Sequence, residues 1–260
     1  MKLPDSPAPS KEFKNAIGSD IPKEFALAAR KDIDAIEKMA IKVLPTTSSW
    51  TLLLTKEALT RQYVLLVDRS GSMTFQDKNG RSRWLSAKMG VEDLVPVIFK
   101  YDADGSVPLY LFDSETVFVG ECTKPEQVAE AFETYQPRGT TNLSACLKEA
   151  METYLGSKRA NYELVPDTTV IVLLDGGADD PGRVKKLLRK YADPKNGYVT
   201  NHTQAAVSFV QIADDVTATK FLQGLDNMEP PETDICDCQK EDLIYEEGVI
   251  EKLLMNAIFD

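Results

Sequence analysis

The sequence predicts an α/β fold: a doubly wound, mostly parallel sheet with one antiparallel edge strand and helices on both faces. Three observations carry that expectation. From Tyr63 onward, short apolar runs alternate with segments whose apolar residues recur every three or four positions, the signature of strands alternating with helices. The runs are continuously apolar, as strands buried on both faces must be, and do not alternate with polar residues. Two of the runs are separated by a turn of hairpin length, which fits one antiparallel edge strand.

The elements follow in order. Tyr63–Val67 is the first buried-type strand, followed by a polar, Gly-containing loop. A helix is expected from about Arg83 to Lys100, with Val91, Leu94, Val95 and Ile98 on one face and a kink at Pro96. Val107–Phe112 and Thr116–Val119 are strands joined through Asp113-Ser114-Glu115. Pro125 opens a short helix containing Val128, Ala129 and Phe132, and a stronger one follows Asn142, with Leu143, Cys146, Leu147, Ala150, Met151, Tyr154 and Leu155 at helical spacing. Thr168–Leu174 is another buried strand. Asp180-Pro181 then supplies an N-cap and a first-turn proline for a helix through Val184, Leu187, Leu188 and Tyr191. Ala206–Ile212 is a strand, Asp214-Asp215 starts a helix carrying Phe221 and Leu222, Ile235 lies in an edge strand, and Ile250–Ile258 closes the chain as a helix.

Residues 1–60 read as an N-terminal extension and residues 61–260 as the domain. Phe25, Ala29, Ile33, Ile36, Ala40 and Val43 give the extension an amphipathic helix that packs on the domain or flanks it. Trp50–Leu54 is a short apolar run of unassigned state.

Composition narrows the function classes. The 260 residues suffice for one large core, and a hydrophobic fraction of 43% is that of an ordinary globular protein. No apolar run reaches the roughly 18 residues of a membrane span. A net charge of −11 repels nucleic acid and anionic lipid, so neither is an expected partner. The first residues lack the apolar core of a signal peptide, which points to the cytoplasm and to reduced cysteines. Cys236-Asp237-Cys238 is too tight and too solitary for zinc, so Cys122, Cys146, Cys236 and Cys238 are expected as free thiols.

In an open α/β sheet, ligands bind beyond the carboxyl ends of the strands, where strand order reverses. The first strand exits into Asp68-Arg69-Ser70-Gly71-Ser72-Met73, and Thr168–Leu174 exits into Asp175-Gly176-Gly177-Ala178-Asp179-Asp180. Pro137-Arg138-Gly139-Thr140-Thr141-Asn142 leads into a helix. Each segment alone is ordinary loop composition. Together they offer two carboxylates and three hydroxyls with no histidine or cysteine. Hard oxygen donors of this kind suit Mg²⁺, with Mn²⁺ and Ca²⁺ as alternatives. Arg69 and Met73 of the same loop read as surface filler.

Asp68-x-Ser70-x-Ser72, Thr141 and Asp175-Gly176 resemble the metal-ion-dependent adhesion site of von Willebrand factor type A domains, whose fold is Rossmann-like. The likeness runs from about Tyr63 to Asp260, about three quarters of the chain. Phe221-Leu222-Gln223-Gly224-Leu225-Asp226 is similar to a helix of intracellular members related to the copine and tellurium-resistance groups. The resemblance implies Mg²⁺ held directly by Ser70 and Ser72, by Thr141 directly or through water, and by Asp68 and Asp175 largely through water. A Glu or Asp of a protein partner would complete the shell. Thr140 is the alternative to Thr141 at that position. The chain departs from the family in the polar insertion Phe75-Gln76-Asp77-Lys78-Asn79-Gly80 and in Gly177 after Asp175-Gly176.

The expected function is a metal-dependent adaptor or assembly module inside the cell, and not an enzyme. Two alternatives stand beside it. A metal-assisted phosphohydrolase would use Asp68 as nucleophile or Asp179 as base, but the chain has no Gly-x-x-x-x-Gly-Lys loop and no second strand-end carboxylate is expected beside Asp68. A metal-free scaffold would have lost part of the ligand set. The one histidine, His202, lies in a polar segment without a Gly-x-Ser-x-Gly partner.

Overall fold

The computed structural model describes residues 61–156, 166–200, 204–226, 228, 235–240 and 254. The expected N-terminal helix, the run Trp50–Leu54 and His202 lie outside these residues. So does the closing helix, except for Leu254, which is helical and buried.

The strands are β1 (Arg61–Asp68), β2 (Val107–Phe112), β3 (Thr116–Cys122), β4 (Asp167–Leu174), β5 (Ala205–Gln211) and β6 (Cys236–Lys240). They form one six-stranded sheet in the order β3-β2-β1-β4-β5-β6. All pairings are parallel except β2 with β3, which is the expected hairpin at the sheet edge. β3 runs three residues beyond the expected Val119. The register of the hairpin slips between Leu109 and Tyr110, and Gly120 at φ 146 takes up the bulge.

Helices α1 (Arg83–Tyr101), α2 (Pro125–Thr134), α3 (Leu143–Tyr154), α4 (Pro181–Ala192) and α5 (Val216–Asp226) connect the strands. The sheet faces explain the continuous apolar runs. Tyr63, Leu65 and Val67 of β1 pack on Val91, Leu94 and Ile98 of α1 and on Val128 and Phe132 of α2. Val64 and Leu66 point the other way, into Leu147 of α3, Val184 and Leu188 of α4, and Leu222 and Leu225 of α5. Both faces are therefore covered, and a side chain of either parity along β1 is buried. Complete burial of a Leu or Phe side chain is worth about 1.5–3 kcal/mol, so this two-sided core dominates stability.

The helix boundaries follow local chemistry. Ser82 caps α1 by accepting the Leu85 N–H, Asp180 caps α4 by accepting the Arg183 N–H, and Pro125 and Pro181 occupy first turns. α1 continues through Pro96 to Tyr101 as a single 19-residue helix. On α2 the buried alanine is Ala131, and Ala129 is half-buried. The run Phe221–Asp226 falls within α5, where Leu222 and Leu225 serve the core. All four cysteines are free, as expected. Burial pushes the Cys122 thiol up to about 11 and holds the Cys146 thiol well above its ordinary range, which disfavours the thiolate at both.

Candidate metal-binding site

β1 and β4 are neighbours in register, with Val67 opposite Leu173. On either side of this pair the sheet is wound in opposite directions, so their carboxyl ends flank the switch point. Asp68 closes β1, and Asp175 immediately follows β4. Both carboxylates are fully buried.

A chain of hydrogen bonds joins four of the five expected site residues. The Ser70 N–H donates to Asp68 Oδ1 at 2.7 Å, the Ser70 and Ser72 hydroxyls lie 2.9 Å apart, and the Ser72 hydroxyl donates to Asp175 Oδ1 at 2.8 Å. The backbone that presents these hydroxyls is a 3₁₀ turn, Gly71–Thr74, closed by Met73 N–H to Ser70 O and Phe75 N–H to Ser72 O. Met73 pins that turn from below. It is fully buried in the core, which corrects the expectation that it is surface filler.

Arg69 is likewise no filler. It is 4% exposed, donates to Asp113 Oδ2 at 2.5 Å, and lies over the Tyr135 ring at 5.3 Å. Its backbone oxygen accepts the Arg138 N–H, and Gly71 N–H donates to Gly139 O at 3.1 Å. These bonds dock the Pro137–Asn142 loop on the β1 loop. The fit at the junction is close: a Cβ on Gly71 would lie 3.3 Å from Gly139 O.

Thr141 reaches the neighbourhood by a different route. Its N–H donates to Asp179 Oδ2 at 3.0 Å, and its carbonyl accepts the Asp179 N–H, which ties it to the loop after β4. No hydrogen bond among the described residues joins its hydroxyl to the other four. The Thr140 hydroxyl lies 3.4 Å from that of Ser114, so it is turned toward the β2–β3 turn.

The electrostatics of the pair are lopsided. Burial, reinforced by the nearby Asp175 charge, pushes the Asp68 carboxyl up to about 7, against the opposing Ser70 N–H bond. Asp68 Oδ2 is buried with no hydrogen-bond partner. An orphaned carboxylate oxygen beside a second carboxylate and two hydroxyls is the arrangement a hard divalent cation satisfies. The donor set fits Mg²⁺ in kind: only oxygens, and too few carboxylates to neutralise the ion and its surroundings completely. Among the described residues, no three His, Cys, Asp or Glu side chains gather as a metal cage.

Two neighbours, Arg83 and Asp113, were not expected, and Asp179, weighed as a base, is a loop anchor in the structure. Arg83, the first residue of α1, donates to Asp175 Oδ2 at 2.9 Å. Asp113 follows β2 directly, so a second strand-end carboxylate does exist next to Asp68. It is held by Arg69, by Arg138 Nε at 3.1 Å and by the Glu115 N–H. Asp179 anchors Thr141. Asp113 carries the same signal as Asp68, an acid at the end of a buried run. The insertion is a folded loop: Gln76 bridges Ser82, and Asp77 accepts from Asn79 N–H, Arg81 N–H and the Ser86 hydroxyl. It leaves Phe75 exposed beside Arg83.

Residues 63–177 match the family model of the von Willebrand factor type A domain. No curated protein matches the chain. Among solved structures, a D319A mutant of the PilB minor pilin from Streptococcus sanguinis is similar at a TM-score of 0.50 and 11% identity, over 77% of this chain and 63% of that one. The chain thus spans less than two thirds of that protein. The SpRpn10 VWA domain is similar at a TM-score of 0.47 and 11% identity, over 76% of this chain and 94% of that one. The strand order, the antiparallel edge and the matched segment make this a von Willebrand factor type A-like α/β fold.

Proposed function

We propose that the protein is a divalent-metal-dependent protein-binding module that takes an acidic side chain of its partner at the top of the sheet. The observation that carries this reading is the buried Asp68 carboxylate at the switch point, whose Oδ2 is unpartnered and whose Oδ1 is linked through the Ser70 N–H and the Ser70 and Ser72 hydroxyls to a second buried carboxylate, Asp175. Ser70, Ser72 and Thr141 would hold Mg²⁺, with Asp68 and Asp175 behind them. The ion would supply a Lewis-acidic position open to a carboxylate oxygen. The protein residues do the rest. Asp68 fixes the Ser70 backbone, Asp175 orients the Ser72 hydroxyl, and Asp179 holds the Thr141 segment against the β4 loop.

The binding reading is favoured over hydrolysis by how the remaining acids are used. Asp113, at the neighbouring strand end, is committed to two arginines, and Asp179 accepts the Thr141 N–H. Four free cysteines support action in a reducing compartment such as the cytoplasm. Calorimetric titration of the protein with Mg²⁺, followed by capture of partners with Mg²⁺ or EDTA, tests the proposal. One site with loss of binding in Asp68→Ala is expected. No binding at millimolar Mg²⁺, or turnover of generic phosphoesters, overturns it.

A further inference from the structure

We infer that Arg83 is a positioning residue that sets the divalent-ion affinity of this site, by acting as a resident counter-ion to Asp175. The inference rests on the metal-binding reading above and concerns a residue outside the five ligand positions. Its basis is geometric. Asp175 divides its two oxygens: Oδ1 accepts the Ser72 hydroxyl on the metal side, and Oδ2 accepts Arg83 Nη1 at 2.9 Å. The carboxylate is fully buried and the Arg83 side chain is 16% exposed, so solvent screens the pair weakly.

The protein invests structure in this contact. The folded loop after the 3₁₀ turn brings Arg83 to the site. Its backbone N–H donates to Phe75 O at 2.8 Å, Gln76 pairs with Ser82, and the Phe75 ring lies 5.8 Å from the guanidinium carbon. The insertion that departs from the family pattern is therefore the device that places the cation.

The consequence is a change in charge balance. Asp68 and Asp175 alone would offer a divalent ion two negative charges. With Arg83 fixed on Asp175 the site offers one, and an arginine does not lose its proton to relieve this. Metal binding is weakened, and the loaded site keeps a net positive charge. The division of oxygens lets Arg83 stay in place, since the Ser72 side of Asp175 remains available.

The test is Mn²⁺ binding by the full chain, read from free Mn²⁺ by electron paramagnetic resonance, for the wild type, Arg83→Gln and Arg83→Lys. Arg83→Gln should bind Mn²⁺ about 5–30-fold more tightly, the effect of removing one nearby charge after screening and relaxation. Arg83→Lys, which restores the charge without the planar fork, should fall within about threefold of the wild type. If Arg83→Gln does not give a cooperative melt, Arg83→Met keeps the aliphatic stem beside Phe75 and serves the same comparison. Equal or weaker Mn²⁺ binding on loss of the charge overturns the inference while leaving the metal site intact. No Mn²⁺ binding by the wild type instead defeats the metal-binding reading on which it rests.

Discussion

Asp68→Asn should stabilise the metal-free protein while abolishing its response to Mg²⁺. The magnitude follows from the site. Asp68 is fully buried, its Oδ2 has no partner, and its carboxyl is raised from 3.8 to about 7, by burial first and by Asp175 second. Three units at about 1.4 kcal/mol each amount to about 4 kcal/mol by which the folded state disfavours the charged form. The sign is worked from proton uptake. Below about pH 4 the carboxyl is protonated in both states and contributes nothing. Between about 4 and 7 the unfolded chain ionises while the folded one holds its proton, so folded stability falls as pH rises through this window. Above about 7 the full penalty is in force. Asparagine is nearly isosteric, keeps an oxygen for the Ser70 N–H, and carries no charge, so it removes the slope.

The assay is urea unfolding of wild type and Asp68→Asn in EDTA from pH 4 to 8, repeated with Mg²⁺ at pH 7.5. In EDTA at pH 7.5 the variant should be more stable by about 2–4 kcal/mol, and the difference should vanish near pH 4. With Mg²⁺ at a hundredfold excess over Kd, the wild type should gain about 2.7 kcal/mol and the variant nothing. A variant less stable than the wild type in EDTA, or one that gains as much from Mg²⁺, refutes the reasoning that Asp68 is strained for the sake of a cation.

Two further predictions concern the loops around the site. Gly139 has φ 70, and a Cβ there would come within 2.6 Å of the Ser114 hydroxyl, which accepts the Thr140 N–H. Gly139→Ala should therefore cost about 1–3 kcal/mol in thermal unfolding and weaken Mg²⁺ binding by displacing the Thr141 segment; unchanged melting and affinity would contradict that geometry. At Asp77, burial works to raise the carboxyl, but hydrogen bonds from Ser86 and from the Arg81 and Asn79 N–H groups, with the Arg81 charge, hold it down to about 2. Its contribution is complete above about pH 4 and lost as pH falls through about 2. Asp77→Ala should loosen residues 75–82 and speed tryptic cleavage at Lys78 and Arg81, an outcome that an unaltered digestion pattern would rule out.

What was legible in the sequence is what backbone geometry imposes. A continuous apolar run ends at the residue where the strand leaves the core, so Asp68 and Asp175 could be placed at strand ends by reading Tyr63–Val67 and Thr168–Leu174. Once two such ends adjoin in one sheet, their carboxylates must meet, and Ser70 and Ser72 follow because the loop is short. Arg69 and Met73 were misread because the polar composition of that loop masks its depth. Met73 is drawn under the turn by the core, and Arg69 is buried because Asp113, 44 positions away, pairs with it. Thr141 was legible as a segment, but its link runs through Asp179, 38 positions further on. No local period reports such pairings.

Arg83 is the instructive omission, because the chain does mark it. Cations are disfavoured at the first turn of a helix, where the macrodipole is positive, and acids are favoured there. α1 opens with Arg83 and has no acid in its first turn. That choice is locally unfavourable by some tenths of a kcal/mol, the kind of conflict between local preference and fold that collects at functional positions. The conflict is resolved only by Asp175, 92 positions away, whose buried carboxylate supplies the negative charge the helix start lacks. The Arg83–Asp175 pair thus offsets two deficits at once: the carboxylate faces the positive helix start, and the guanidinium relieves a pair of crowded carboxylates. Substituting Arg83 should leave both carboxylates to the cation, which is why the metal affinity of Arg83→Gln should rise even as its fold loses an ion pair.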